Sequence, residues 1–191
     1  MSKREEKINP ISDIKRNTSE ISDILKSKSL KIIGIDGIDG IGKTYLAKEI
    51  EKIGYIKISL DDFLEKKSGG YFNFLDLEKI NNFIKKNKGK QIAIEGVLLL
   101  KVIEKLKLKV DYLIYMTNSI WIYEWAEYFN GKYSKMKLSE IINEVEVETT
   151  KLNKILDPNF DRYKMKGFRK EIYEYSFKYK PWGRADIIIQ R

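Results

Sequence analysis

The 191-residue sequence contains no cysteine and no histidine. Those two absences remove disulfides, zinc sites built on thiolate or imidazole, cysteine nucleophiles and every triad that turns on an imidazole. Any general base has to be a carboxylate, a lysine or water. Proline is scarce, at three residues, and long apolar stretches are missing: the longest aliphatic run, Val97 to Leu100, is far too short to span a bilayer. The N-terminal MSKREEK carries both signs of charge and lacks the apolar stretch of a secretory signal, so the cytoplasm is the expected compartment and no membrane partner is expected. With 42% hydrophobic and 34% charged residues, the composition is that of a globular protein, and the length suits one domain covering residues 1–191.

The formal charge is +9, and much of it is local. Between Arg162 and Arg184 there are eight Lys or Arg against two Glu, interleaved with aromatics from Tyr163 to Trp182. Such a stretch is either a nucleic-acid surface, with cations on phosphates and rings on bases, or one face of a packed helix. Met165, Phe168, Ile172, Tyr175 and Tyr179 recur at helical spacing, which favours rings turned to the core and lysines turned to solvent.

Strand-like and helix-like segments alternate. Residues 11–28 place Ile14, Thr18, Ile21 and Leu25 on one helical face, an N-terminal helical extension over residues 1–29. Apolar runs at Leu30–Asp36, Tyr55–Leu60, Gln91–Glu95, Tyr112–Met116 and Ala185–Ile189 predict five strands. Helices are predicted from Gly42 to Lys52, Leu75 to Lys86 and Leu98 to Leu106. Residues 118–180 read as mainly helical, with breaks at Asn130-Gly131 and Asp157-Pro158. This order implies an α/β fold: a parallel sheet of about five strands with helices on both faces.

Between the first of these strands and its helix lies IDGIDGIGKT, in which Gly37, Gly42, Lys43 and Thr44 match the spacing of a phosphate-binding P-loop. Gly37, Asp39, Gly40, Ile41 and Gly42 would turn backbone N–H groups toward an anion at a helix start. Lys43 would reach the β- and γ-phosphates, and the Thr44 hydroxyl would bind Mg²⁺. ATP and Mg²⁺ are therefore the expected cofactors.

Carboxylates follow where a sheet of this kind would bring them to the loop. Asp61 and Asp62 end the second predicted strand and Glu95 ends the third, so with Asp36 they approach one crevice at the carboxyl ends of the strands. A carboxylate there accepts a proton from an attacking hydroxyl or helps to hold Mg²⁺, although each could instead cap the next helix.

IIGIDGIDGIGKT, followed by KISLDDF, YFNF, IAIEGVLLL, VDYLIYM and ADIII, resembles the uridine kinase-like group of P-loop kinases, which includes pantothenate and nicotinamide riboside kinases. The similarity runs in order over nearly all of residues 31–189. It implies a P-loop NTPase fold with a helical lid within residues 118–180, and transfer of a γ-phosphate to a small-molecule hydroxyl, nucleoside-like in that group. Asp61 matches the family's general base or substrate-hydroxyl ligand, Glu95 the Glu that helps to place Mg²⁺, and Asn73-Phe74 a pair near the substrate pocket. Two departures stand out. The interval from Phe74 to Gln91 is too short for the family's nucleoside-packing hairpin, and Asn118 to Lys137 contains no arginine for the lid. Lys132, Lys135, Lys137, Arg162 and Arg169 are the substitutes available, and a lysine offers a point charge without the bidentate fork.

GIDGIGKT also resembles thymidylate kinase, yet the Asp-Arg pair that family needs after its third strand occurs here only at Asp161-Arg162. The N-K-x-D motif of GTPases is missing. Two alternatives stay open: a hydroxyl within DNA or RNA as the acceptor, such as a hydroxymethylated base, and a nucleotide-binding module without transfer. The sequence does not set the oligomeric state.

Overall fold

Stretches rich in isoleucine, with no polar period, become strands covered on both faces, as a parallel sheet between helices requires. The computed structural model describes residues 14–15, 18–65, 70–118 and 133–191. Six strands are described: β1 (Ile14–Lys15), β2 (Ile32–Gly37), β3 (Ile56–Ser59), β4 (Ile92–Glu95), β5 (Tyr112–Thr117) and β6 (Ile187–Gln190). They form one sheet in the order β1-β6-β5-β2-β4-β3 with every pair parallel.

Helices cover both faces. On one side α1 (Thr18–Ser27) and α2 (Lys43–Glu51) bury Ile21, Leu25, Leu46, Ala47 and Ile50 against β2 and β6. On the other, α3 (Leu77–Lys86), α4 (Leu99–Leu106) and α6 (Gly167–Tyr179) pack around Ile80, Leu99, Val102, Tyr175 and Tyr179. A nineteen-residue α5 (Leu138–Leu156) precedes α6, and a single-turn α7 (Pro181–Arg184) leads into β6. α3 begins where the Asp76 carboxylate accepts from the Lys79 N–H at 2.9 Å, an N-cap that satisfies one of the open amides of the first turn. No described helix is long and apolar enough to cross a membrane.

The fold is the expected α/β arrangement, with one correction at the N-terminus. Ile14 and Lys15 pair with Ile188 and Ile189 as a sixth, edge strand, where a helix was expected, and α1 starts only at Thr18. The exposed edge of β6 offers N–H and C=O groups that an extended segment satisfies directly, and that outweighs the first turn of the helical pattern. The break at Asp157-Pro158 ends α5. The one at Asn130-Gly131 lies outside the described residues.

Strand β2 is the hinge of the topology. The connections leaving it build β4 and β3 on one side, then β5 and β6 on the other. At such a switch point the carboxyl ends of neighbouring strands part and leave a crevice, and the glycine-rich turn after β2 opens into it.

Candidate functional site

The loop begins where β2 runs out of room for side chains. Gly37 pairs with Met116 of β5, and a Cβ at Gly37 would lie 2.2 Å from the Met116 carbonyl oxygen, so only glycine fits. Gly42 closes the loop at φ +96°, a left-handed conformation that L side chains rarely adopt, and α2 starts at the next residue. The open N–H groups of that helix start, with the loop amides, are groups that could take up an anion.

Lys43 is 7% exposed, and its ammonium donates to the Ile38 carbonyl oxygen at 2.7 Å across the loop. Burial pulls its pKa down; the negative charges of Asp36, Glu95, Asp39 and Asp61 push it back up. The field of four carboxylates therefore acts on one lysine. The Thr44 hydroxyl donates to Glu95 Oε1 at 2.9 Å, and Glu95, at the end of β4, is 2% exposed. One hydroxyl and one carboxylate are a small donor set. It suits Mg²⁺, which keeps several water and phosphate oxygens, and no larger His, Cys, Asp or Glu cluster that could hold a metal occurs among the described residues.

Asp61 lies in a short 3₁₀ turn, Leu60–Phe63, that follows β3. The Tyr71 hydroxyl donates to Asp61 Oδ1 at 2.6 Å. Burial, then this carboxylate, drives the Tyr71 pKa well above the phenol range, so Tyr71 keeps its proton and acts as a donor. Tyr71 is itself held by its backbone N–H, which with that of Phe72 donates to the Glu171 carboxylate at 2.9 and 3.1 Å. A helix near the end of the sequence thus fixes the tyrosine that orients Asp61.

Leu60 and Gly96 set the separation of the two carboxylate-bearing strand ends. Leu60 is fully buried, and a Cβ at Gly96 would meet its side chain at 2.6 to 2.7 Å. The glycine after Glu95 is what lets the Asp61 turn close down. Gly96→Ala is expected to cost about 1–3 kcal/mol by overpacking, read as a drop of several degrees in melting temperature.

Asp36, 1% exposed, accepts hydrogen bonds from the Tyr175 hydroxyl and, at 2.8 Å, from the Gly37 N–H. Burial lifts its pKa from 3.8 to about 6, against the lowering effects of Tyr175, Gly37 and Lys43. Between those two pH values the folded protein holds a proton that the unfolded chain has released. The contribution of Asp36 to stability should therefore fall as pH rises from about 4 to 6, by up to about 3 kcal/mol, and level off above. Asp36→Asn changes the absolute stability but should erase that slope, as chemical denaturation at pH 4, 5, 6 and 7 would show.

Beside Asp36 a cavity of about 180 Å³ lies between the first half of the loop, β5 and α6. Asp36, Asp39, Tyr115, Tyr175 and Ser176 give it polar groups, and Ile172 an apolar wall. Among the described residues lining it there is no Lys or Arg.

The remaining candidates are scattered. Asp62 is exposed on the same turn as Asp61, Asn73 is exposed, and Phe74 is half-buried in a second short turn. Arg162, between α5 and α6, packs against α5, donating to Asn143 Oδ1 at 3.0 Å and lying 3.6 Å from Glu146; Arg169 sits over the Tyr163 ring at 5.3 Å. Neither is brought to the loop by these contacts. Lys135 and Lys137 are exposed, and Lys132 lies outside the described residues. Met165, Tyr175, Tyr179 and Trp182 are buried, with Phe168 and Ile172 packed against the core, so the aromatic side of the basic segment faces inward. Sequence reading missed Tyr71 and Tyr175. The signal for Tyr175 was Asp36 itself, a carboxylate inside a strand buried on both faces, which needs a donor to remain there.

No family model matches the chain, and no curated protein matches it. Among solved structures, it is similar to that of a possible uridine kinase from Bacillus stearothermophilus, with a TM-score of 0.52 and 14% identity over 90% of this chain and 96% of that one. It is also matched to a candidate fructose transport system kinase from Silicibacter sp. TM1040, at 10% identity over 92% and 99% of the two chains, but the TM-score of 0.43 is too low to argue from. The first likeness is one of fold: a P-loop NTPase-like α/β domain.

Proposed function

We propose that the protein is a kinase that transfers the γ-phosphate of ATP, with Mg²⁺, to the hydroxyl of a small molecule. The observation that carries this reading is the hydrogen bond from Thr44 to Glu95 beside Lys43, with Asp61 close enough to act on the same lysine. A nucleotide switch needs the loop but has no use for a carboxylate held toward the acceptor side by a dedicated tyrosine.

In this mechanism the loop from Gly37 to Thr44 binds the phosphates through Gly37, Asp39, Gly40, Ile41 and Gly42, and Lys43 offsets charge on the transferring group. Thr44 and Glu95, with Asp61 nearby, would hold Mg²⁺, which neutralises phosphate charge when bound. Asp61 accepts the proton of the attacking alcohol; the new P–O bond forms as the bond to the β-phosphate oxygen breaks, and ADP leaves. Positioning and electrostatics supply most of the acceleration.

The charge around the loop narrows the acceptor. Four carboxylates about one lysine, together with a neighbouring cavity whose described lining holds no cation, oppose a second phosphate or a carboxylate on the acceptor. The reading is therefore an uncharged alcohol, nucleoside-like or smaller, handled in the cytoplasm. Asp62, Asn73 and Phe74 are the nearest candidates for its far side, and Arg162 and Arg169 remain available only if they leave their present partners. Acceptors within DNA or RNA gain nothing from the buried aromatic segment.

The test is transfer of label from γ-labelled ATP to a panel of nucleosides, vitamins and polyols, each paired with its monophosphate, and to DNA and RNA pools. Label in an uncharged alcohol, lost in Asp61→Ala, is expected. Label in polymer, or in a monophosphate in preference to its parent alcohol, would contradict the acceptor class, and label in nothing would contradict the kinase reading.

A further inference from the structure

The crevice occupies the carboxyl end of the sheet. At the other end, where the parallel strands begin, three segments meet: 26–31 before β2, 85–91 before β4 and 105–111 before β5. Hydrogen bonds tie them together. The Asp111 carboxylate accepts from the Lys31 and Ile32 N–H groups at 2.8 and 3.0 Å, the Ile92 N–H donates to the Lys31 carbonyl oxygen at 2.8 Å, and the Gln91 side-chain amide donates to the Leu30 carbonyl oxygen at 3.0 Å.

The segments read KSKSLK, KKNKGKQ and KLKLKVD, with three, four and three lysines and one acid, Asp111, among twenty residues. In the whole chain Lys and Arg make up only 37 of 191 residues, against 28 acids. All ten lysines are exposed, and no ion pair among the described residues includes any of them. Helix dipoles explain part of this. Lys26, Lys85, Lys86 and Lys105 sit in the last turns of α1, α3 and α4, where a cation faces the negative helix end. At about half a charge each, three helix ends together with Asp111 offset two to three positive charges, and an excess of about seven remains.

The residue types narrow the partner. The three segments contain no arginine to read guanine edges and no aromatic ring to stack on an unpaired base. Leu30, Leu106 and Leu108 are half-buried, so no apolar side chain is held out for a bilayer. Point charges on flexible stems remain, and these suit phosphates regardless of sequence. We infer that this end of the sheet is a docking surface for a double-stranded nucleic acid, held through its phosphates and not read for sequence. The six residues of β2 place Lys31 on the order of 20 Å from the glycine-rich loop, so a duplex docked here is a partner and not an acceptor for Asp61. The inference does not rest on the kinase reading, and either can fail alone.

Fluorescence anisotropy of the full chain with labelled duplex DNA and duplex RNA tests it. Affinity should fall by about a thousandfold between about 50 and 200 mM salt, as six or more phosphate contacts require, and the tighter duplex identifies the source. Changing Lys31, Lys90 and Lys109 together to Gln should flatten the log–log salt dependence by about one unit per lysine, with the melting temperature kept. The same change at Lys164, Lys166 and Lys170, in the basic C-terminal stretch, should leave it as it was, and saturating Mg²⁺-ATP at constant ionic strength should leave duplex affinity within about twofold. An unaltered salt dependence in the first variant, an equal loss in the second, or displacement of the duplex by ATP would overturn the assignment to this surface. Preference for a single strand, binding to phosphatidylserine vesicles but to neither duplex, or binding to none of them would overturn the partner.

Discussion

Lys43→Ala is expected to lower phosphoryl transfer by about a thousandfold, the scale on which preorganised charge at a transferring phosphoryl group acts. The present contacts explain why the loss should be so large. The ammonium is nearly buried and already aimed across the loop at the Ile38 carbonyl, so it needs little rearrangement when an anion enters. Without it, Asp36, Glu95, Asp39 and Asp61 remain with no cation between them, and a triphosphate would meet their combined repulsion. The change should also cost some stability, so turnover has to be measured below the melting transition of the variant, with folding confirmed by circular dichroism. Near-normal turnover in a folded Lys43→Ala protein would contradict the role given to this lysine.

Asp61→Asn should reduce transfer by about a hundredfold to ten-thousandfold, the usual value of a positioned general base. Asparagine keeps the shape, and its amide oxygen still accepts from Tyr71, so a loss reports on proton acceptance rather than on a displaced turn. Tyr71→Phe removes the donor and leaves the base. Its loss should be smaller, about tenfold, and should fall on kcat more than on the acceptor KM. A Tyr71→Phe variant as slow as Asp61→Asn would make the tyrosine a direct participant, and an active Asp61→Asn would move the base elsewhere.

The parts of the site that could be read from sequence are those fixed by local backbone chemistry. Gly37, Gly42, Lys43 and Thr44 announce themselves because only that spacing lets a strand turn into a helix around an anion, and Asp61 and Glu95 because they end apolar runs. Contacts made across a hundred residues or more leave no such mark. Tyr175 read as one more core ring at helical spacing, and it is buried, but its hydroxyl is spent on Asp36. Tyr71 was one aromatic among several in YFNF, and Glu171 one of two acids in a basic stretch. The edge strand at Ile14–Lys15 was hidden for a different reason: two residues have no period, and their pairing depends on the open side of a strand at the far end of the sequence.

Helix α6 meets the rest of the protein on successive turns. Glu171 holds Tyr71 and Phe72, Tyr175 holds Asp36, and Lys178 with Tyr179 holds Glu104. During synthesis this helix is made late. The loop leaves the ribosome 139 residues before the tyrosine that satisfies Asp36, and Tyr71 leaves 100 residues before the glutamate that anchors it. A nascent chain that already contains Gly37 to Thr44 and Asp61 therefore carries the phosphate-loop motif before the Tyr175 donor to Asp36 and the Glu171 anchor of Tyr71 exist. Competence therefore waits for α6, and chains interrupted before it should carry the sequence of the site without its geometry.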